Sequence, residues 1–223
     1  GTDTDRVGPM RLVGSGAAAA SAVRAAAVGS FAVAVVAGLV LVALAGHWWL
    51  VGVGAGSIAA AWFYTGGRRP YGYVGLGELA VFVFFGPVAV LGTQYVLSDR
   101  ATLAGTLAAV AVGALSAAVL VTNNLRDLPT DATAGKRTLA VRLGPHRTRA
   151  LYAVLVAVPF VITLGLALSH PVALIALIAL ALAVRPLRLV RRGVEGPALI
   201  PVLRDTALMM LVWAALTGAA LAY

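Results

Sequence analysis

The chain has 223 residues, 61% of them hydrophobic and 11% charged, with a mean hydropathy of +0.96; soluble globular domains do not have this composition. Lys and Arg number 17 against 8 Asp and Glu, a formal net charge of +9. Those positive residues gather in a few loops, which speaks for membrane topology and against a nucleic-acid partner. The absence of cysteine excludes disulfides and thiolate metal sites.

A membrane span needs about 20 mostly apolar residues, and seven such stretches occur, at 20–45, 48–65, 75–97, 102–126, 148–169, 171–190 and 204–223. The expected fold class is therefore all-α, a polytopic transmembrane helix bundle. Residues 1–16 are polar and hold no apolar segment of a signal peptide. They carry Asp3, Asp5, Arg6 and Arg11, and the chain begins at Gly1 without a Met, so further sequence is expected upstream. Trp48 and Trp49, beside His47 at the outer end of the first span, fit an interfacial aromatic belt.

The second span leads into Tyr64-Thr65-Gly66-Gly67-Arg68-Arg69-Pro70-Tyr71-Gly72-Tyr73, a Gly/Pro loop with two arginines and three tyrosines. Glu78 follows at the start of the third span. It either faces the bundle interior in a substrate role or forms a salt bridge to Arg68 or Arg69. The loops near Ser98 to Arg100 and Ser169 to Pro171 are short. Positive residues crowd the opposite loops and span ends: Arg24 in the first turns of the first span, Arg126, Lys136, Arg137, Arg142, Arg147 and Arg149 between the fourth and fifth, and Arg185, Arg188, Arg191, Arg192 and Arg204 around the last joint. Arg100 is alone on the other side, and this asymmetry puts the longer loops in the cytoplasm. The 185–192 cluster reads as topology alone.

An acid close to lipid is costly unless it is used, which makes Asp127 and Asp131 informative. They close the stretch Asn123-Asn124-Leu125-Arg126-Asp127-Leu128-Pro129-Thr130-Asp131 at the cytoplasmic end of the fourth span. A spacing of four puts both on one helix face, although Pro129 disfavours helix at Leu128. Asp127 is thus expected on the last helical turn and Asp131 just beyond. Acids at a helix C-terminus oppose the helix dipole unless a cation joins them. Hard oxygen donors without His or Cys favour Mg²⁺, which commonly takes one or two carboxylates and completes its shell with water and phosphate oxygens. Residues 135–144 are expected to form a short cytoplasmic cap helix closed by Gly144 and Pro145. Lys136 and Arg137 then either contact a metal-bound diphosphate or simply pair with the aspartates.

The stretch Asn123 to Gly144, NNLRDLPTDATAGKRTLAVRLG, resembles the second aspartate-rich motif of the UbiA-type membrane prenyltransferases, and in particular the branch that prenylates 1,4-dihydroxy-2-naphthoate. The segment Arg68 to Val96, RRPYGYVGLGELAVFVFFGPVAVLGTQYV, is similar to the same branch. Gly1-Thr2-Asp3 and Arg6 to Gly16 look like the tail of the first motif. The resemblance implies a nine-helix bundle with two aspartate-rich motifs facing one central cavity. Residues 1–223 would form a single prenyltransferase domain lacking the first two helices.

Carried over by residue, the resemblance implies Asp3, Asp127 and Asp131 as Mg²⁺ ligands, with Asn123 and Asn124 in the same catalytic cluster. Arg68, Arg69, Lys136 and Arg137 become diphosphate contacts, while Tyr64, Tyr71 and Glu78 line the acceptor site. The expected substrates are an allylic polyprenyl diphosphate and an aromatic acceptor, with membrane lipid as the solvent. The expected reaction is prenyl transfer to 1,4-dihydroxy-2-naphthoate with loss of CO₂, giving demethylmenaquinone, at the cytoplasmic face of the inner membrane. The same chemistry on 4-hydroxybenzoate, a haem or a chlorin is the nearest alternative. A transporter is a different class, but it would place its acids near the bilayer midplane.

Overall fold

The computed structural model describes residues 12–68 and 70–222, so Asp3, Asp5, Arg6, Arg11 and Arg69 lie outside the described residues. The chain forms two compact units, Gly1–Ala61 and Trp62–Tyr223. Among the described residues, six helices are long and apolar enough to cross a membrane, and one shorter apolar helix accompanies them.

In the first unit, α1 (Ala20–Ala45) follows its expected limits and ends at Gly46 in the left-handed region. There the Gly46 N–H returns to the Val42 carbonyl at 2.8 Å, a glycine cap that satisfies one of the last carbonyls. Most α1 side chains are exposed, as suits a predominantly apolar helix whose surroundings are as apolar as itself. Trp48 and Trp49 are exposed just beyond its C-terminal end. The second expected span is α2 (Leu50–Thr65), at 16 residues shorter than a perpendicular crossing requires.

In the second unit, the 3-10 turn Tyr71–Val74 leads into a span, Gly77–Ser98. That span is built from α3 (Gly77–Val83), a π-helical segment at Phe84–Leu91 and α4 (Gly92–Ser98). Pro87 lies within the π segment; a proline has no N–H to give to the ladder, and a widened turn absorbs its ring. α5 (Leu103–Arg126) is N-capped by Thr102, whose hydroxyl accepts from the Gly105 N–H at 3.0 Å.

α6 (Leu128–Thr133) and α7 (Leu139–Leu166) follow. The expected cap helix over 135–144 is confined to its second half. Gly135, at φ +72°, turns the chain away, and helix resumes only at Leu139 behind the Thr138 cap. Gly144, at φ 73° and ψ 169°, is non-helical and divides α7 into two helices across a kink, so the short cap segment closes at Gly144 and Pro145 as expected and the helix of the fifth span follows it. The last two spans are Pro171–Arg191, a 3-10 stretch running into α8 (Leu180–Arg191), and Gly196–Leu221, which contains α9 (Ile200–Leu221).

α5 is the centre of this unit because its small residues let neighbours approach closely. A Cβ on Gly86 would stand 2.5 Å from the Ala109 carbonyl oxygen, and one on Gly113 would stand 2.7 Å from the Phe82 carbonyl oxygen. On its other side, Leu115 and Val121 pack with Tyr152 and Val156 of α7, Val190 of α8, and Val202, Met209 and Trp213 of α9. Two polar pairs tie this core together: Trp213 Nε1 donates to Thr163 Oγ1 at 2.9 Å, and the Tyr152 and Thr206 hydroxyls meet at 2.7 Å. Loops 70–76, 127–138 and 192–196 lie at one end with most of the described arginines, and 99–102 and 167–170 lie at the other with Arg100. The charge asymmetry of the sequence is therefore an asymmetry of the fold.

Candidate active site

The site begins where α5 stops. Asp127 is the residue after the last helical turn, with its N–H on the Asn123 carbonyl at 3.1 Å. Pro129 does not break the chain direction, because it occupies the first turn of α6, where a missing N–H has no helical partner to lose. Asp131 therefore returns one turn later, its N–H on the Asp127 carbonyl at 2.8 Å. Asp127 stands one residue past the turn expected for it, as the C-cap of α5, and Asp131 lies within a short helix of its own.

Both acids hold a protein cation. Arg126, with its side chain only 5% exposed, clamps Asp127 through Nε and Nη2, each at 2.8 Å. Lys136 Nζ lies 2.6 Å from Asp131 Oδ1. The left-handed Gly135 makes the second pair possible by letting the Lys136 N–H fold back onto the Asp131 carbonyl at 3.0 Å. Lys136 also sits over the Tyr73 ring, 5.1 Å from its centroid, an attractive cation–π position. The need for positive charge at this helix end is thus met from within the chain.

A second wall comes from the 64–78 segment. The Arg137 N–H donates to the Tyr73 carbonyl at 2.9 Å, pinning the tyrosine turn against the 131–137 loop. Tyr64 and Tyr71 meet edge to face, with centroids 5.5 Å apart and planes at 85°. Burial pushes the Tyr71 phenol up from its ordinary range. Glycines give Tyr64 its seat: a Cβ on Gly72 would stand 2.7 Å from the Tyr64 carbonyl oxygen, and one on Gly77 would stand 3.2 Å from the Tyr64 hydroxyl.

Glu78 is buried beside this wall, and its described partner is Asn124, whose Nδ2 donates to Oε1 at 2.8 Å; Arg68 does not pair with it, and Arg69, the other cation expected there, lies outside the described residues. Glu78 Oε2 is buried with no hydrogen-bond partner among the described residues.

The profile of the UbiA prenyltransferase family matches residues 2–198. A Mycobacterium tuberculosis (strain ATCC 25618 / H37Rv) protein named 1,4-dihydroxy-2-naphthoate octaprenyltransferase is 59% identical over 223 residues, all of this chain and 76% of the relative. The chain belongs to the UbiA prenyltransferase family. Relatives of the same name in Mycobacterium leprae (strain TN) and Escherichia coli (strain K12) are 52% and 38% identical; the matches cover 99% and 91% of this chain and 75% and 68% of the relatives.

For a UbiA-family chain the structure gathers Tyr64, Tyr71, Glu78, Asn123, Asn124, Asp127, Asp131 and Lys136 at one end of the second unit. Arg68 and Arg137 are exposed at that end, while Asp3 and Arg69 lie outside the described residues. Three relationships escape the sequence reading. Arg126 appears there only as a topology marker, although its adjacency to Asp127 in Leu125-Arg126-Asp127 is the available signal. Tyr73 as the seat of Lys136, and Asn124 as the partner of Glu78, need the fold to be seen.

Proposed function

We propose that this UbiA-family protein transfers a polyprenyl chain from an allylic polyprenyl diphosphate to 1,4-dihydroxy-2-naphthoate, with loss of the carboxyl group as CO₂ and release of diphosphate, giving demethylmenaquinone in its reduced, quinol form. The observation that carries this reading is the pairing of two motifs in one place: the Asn123 to Lys136 segment stands against the Tyr64 to Glu78 segment. Both belong to a chain that is 59% identical along its whole length to an enzyme named for that acceptor.

The donor set fits Mg²⁺. Asp127 and Asp131 offer hard carboxylate oxygens one turn apart, and among the described residues no third His, Cys, Asp or Glu joins them in a metal-holding group. Mg²⁺ characteristically accepts so few protein ligands, the rest coming from water and substrate phosphate. When bound, Mg²⁺ supplies charge neutralisation at the diphosphate leaving group. Asp3, outside the described residues, belongs to this proposal as the acid of the facing motif.

The chain's own residues account for the remaining work. Lys136 sits 2.6 Å from Asp131, so it is poised to turn its ammonium to the diphosphate oxygens. Arg68 and Arg137 extend that positive surface, stabilising charge as the allylic carbon–oxygen bond opens, and Arg69, outside the described residues, belongs to the proposal as a further diphosphate contact. Tyr64 and Tyr71 form an aromatic wall for the acceptor ring. Glu78 Oε2 offers a buried acceptor for one of its hydroxyls. The electron-rich ring then attacks the allylic carbon, and the apolar tail lies in the lipid-solvated bundle. The positive charge gathered at the loop-rich end supports a reaction at the cytoplasmic face of the cell membrane.

The test is a prenyl-transfer assay with an acceptor panel. Product and CO₂ are expected from 1,4-dihydroxy-2-naphthoate and not from 4-hydroxybenzoate or haem; turnover confined to another acceptor would overturn the assignment while leaving the family chemistry.

A further inference from the structure

On the second unit, a groove of about 410 Å³ lies between α7 and the span formed by Pro171–Ala179 and α8. Ala157, Phe160 and Leu164 line it from α7, and Leu177, Leu187 and Arg191 from the other side. Every lining residue is apolar except Arg191, which stands at the end of α8.

The arginines around this end are not equivalent. Arg149 pairs with Glu195 at 3.1 Å, and Arg185 and Arg204 share Asp205 at 3.0 and 2.8 Å. Among the described residues, no carboxylate pairs with Arg188, Arg191 or Arg192. An uncompensated positive charge therefore marks the mouth of an apolar groove, at the level of the other loop arginines.

The dimensions select the occupant. From Leu177 to Arg191 the lining runs roughly 20 Å at helical rise, and one bilayer leaflet with its headgroups is also about 20 Å thick. A helix of that length, about 10 Å across, occupies roughly 1,500 Å³, far more than this groove holds. A single hydrocarbon chain fits. A polyprenyl diphosphate would need more positive charge than one arginine, and that charge is concentrated around Asp127 and Asp131.

We propose that the groove binds one acyl chain of an anionic phospholipid, with its phosphate held at Arg191 on the cytoplasmic side. The lipid is a selective ligand rather than bulk solvent, because the site combines a chain-sized cleft with a cation that lacks a protein partner. This inference stands apart from the prenyl-transfer reading.

The experiment is native mass spectrometry of the chain released from nanodiscs containing phosphatidylglycerol and phosphatidylcholine in equal amounts. One retained phosphatidylglycerol per chain is expected, in preference to phosphatidylcholine. Arg191→Ala should lower that preference about fivefold, the effect of one basic residue at an anionic surface, and Arg191→Lys should keep most of it. Ala157→Trp, which fills the groove and leaves the charge, should remove the adduct. Equal retention of the two lipids, or parental phosphatidylglycerol retention in both Arg191→Ala and Ala157→Trp, would overturn the proposal. So would displacement of the lipid by a short-chain polyprenyl diphosphate, which would make the groove a substrate path.

Discussion

Asn124 and Glu78 join the two motifs directly, the amide of one donating to the carboxyl of the other at 2.8 Å across the α3–α5 contact. Because Glu78 Oε2 has no described partner, this single hydrogen bond answers for a buried acid. Asn124→Ala would leave both carboxyl oxygens unpaired, at a cost of about 1–3 kcal/mol. A lower unfolding temperature in detergent is expected for Asn124→Ala, while Glu78→Gln, whose amide oxygen still accepts from Asn124, should stay near the parent. Equal stability of Asn124→Ala and the parent would show that the pair does not hold the motifs together.

Lys136 is the cation best placed to serve either Asp131 or a diphosphate. Lys136→Ala should weaken use of the prenyl diphosphate by about 10- to 150-fold, the equivalent of roughly 1.5–3 kcal/mol for a charge-assisted contact. Tyr73→Leu removes only the ring beneath the ammonium and should cost about 1 kcal/mol or less. Steady-state kinetics against prenyl diphosphate at fixed Mg²⁺ distinguish the two. An unchanged apparent affinity and turnover in Lys136→Ala would return the residue to the role of a structural partner for Asp131.

Close helix approach can be tested away from the chemistry. A Cβ at Gly113 meets the Phe82 carbonyl at 2.7 Å and the Phe82 ring at 2.9 Å, so α3 and α5 must part to admit it. Gly113→Ala is expected to destabilise by about 1–3 kcal/mol, as overpacking does. Gly92 is the control: nothing lies within 4 Å of an added Cβ, and its backbone is helical. Gly92→Ala should be neutral or slightly stabilising by about 0.5–1 kcal/mol. Thermal unfolding of the two variants in one detergent measures the difference; equal losses would contradict the packing.

The spans were legible because lipid leaves little choice: long apolar runs must be helical, and α1 and α5 fall almost where the hydropathy puts them. Their ends were less so. The last span starts at Gly196 rather than 204 because Arg204 and Asp205, which look like a boundary, neutralise each other within a continuing helix. Nothing in the apolar run Phe84–Leu91 distinguishes a π-helical segment from α-helix except Pro87, whose consequence depends on the neighbours that tolerate it. In the site, Asp127 and Asp131 were readable because acids are rare in such a chain. The pairing of Glu78 with Asn124 was not, because it exists only once Gly86 and Gly113 allow α3 and the following π segment to close on α5.

The two aspartates should be alike in chemistry and unlike in stability. Removing either carboxylate charge takes a hard donor from the proposed cation site, so Asp127→Asn and Asp131→Asn should each reduce prenyl transfer by more than about 100-fold, the upper range seen when even outer partners of a metal are lost. Their neighbours respond differently. Arg126 has a side chain only 5% exposed and is held on both Asp127 oxygens, whereas Lys136 is 29% exposed and flexible. An Asn at 127 offers Arg126 one neutral oxygen in place of a bidentate carboxylate, leaving a buried cation under-compensated. An Asn at 131 merely frees Lys136 to reach water. Asp127→Asn is therefore expected to lower the unfolding temperature clearly and Asp131→Asn only slightly, although both lose activity. The second measurement is a Mg²⁺-dependent thermal shift with a non-reactive prenyl diphosphate analogue, expected in the parent and absent in both variants. Near-normal turnover in both, or a Mg²⁺ shift that survives in both, would show that these carboxylates do not hold the ion.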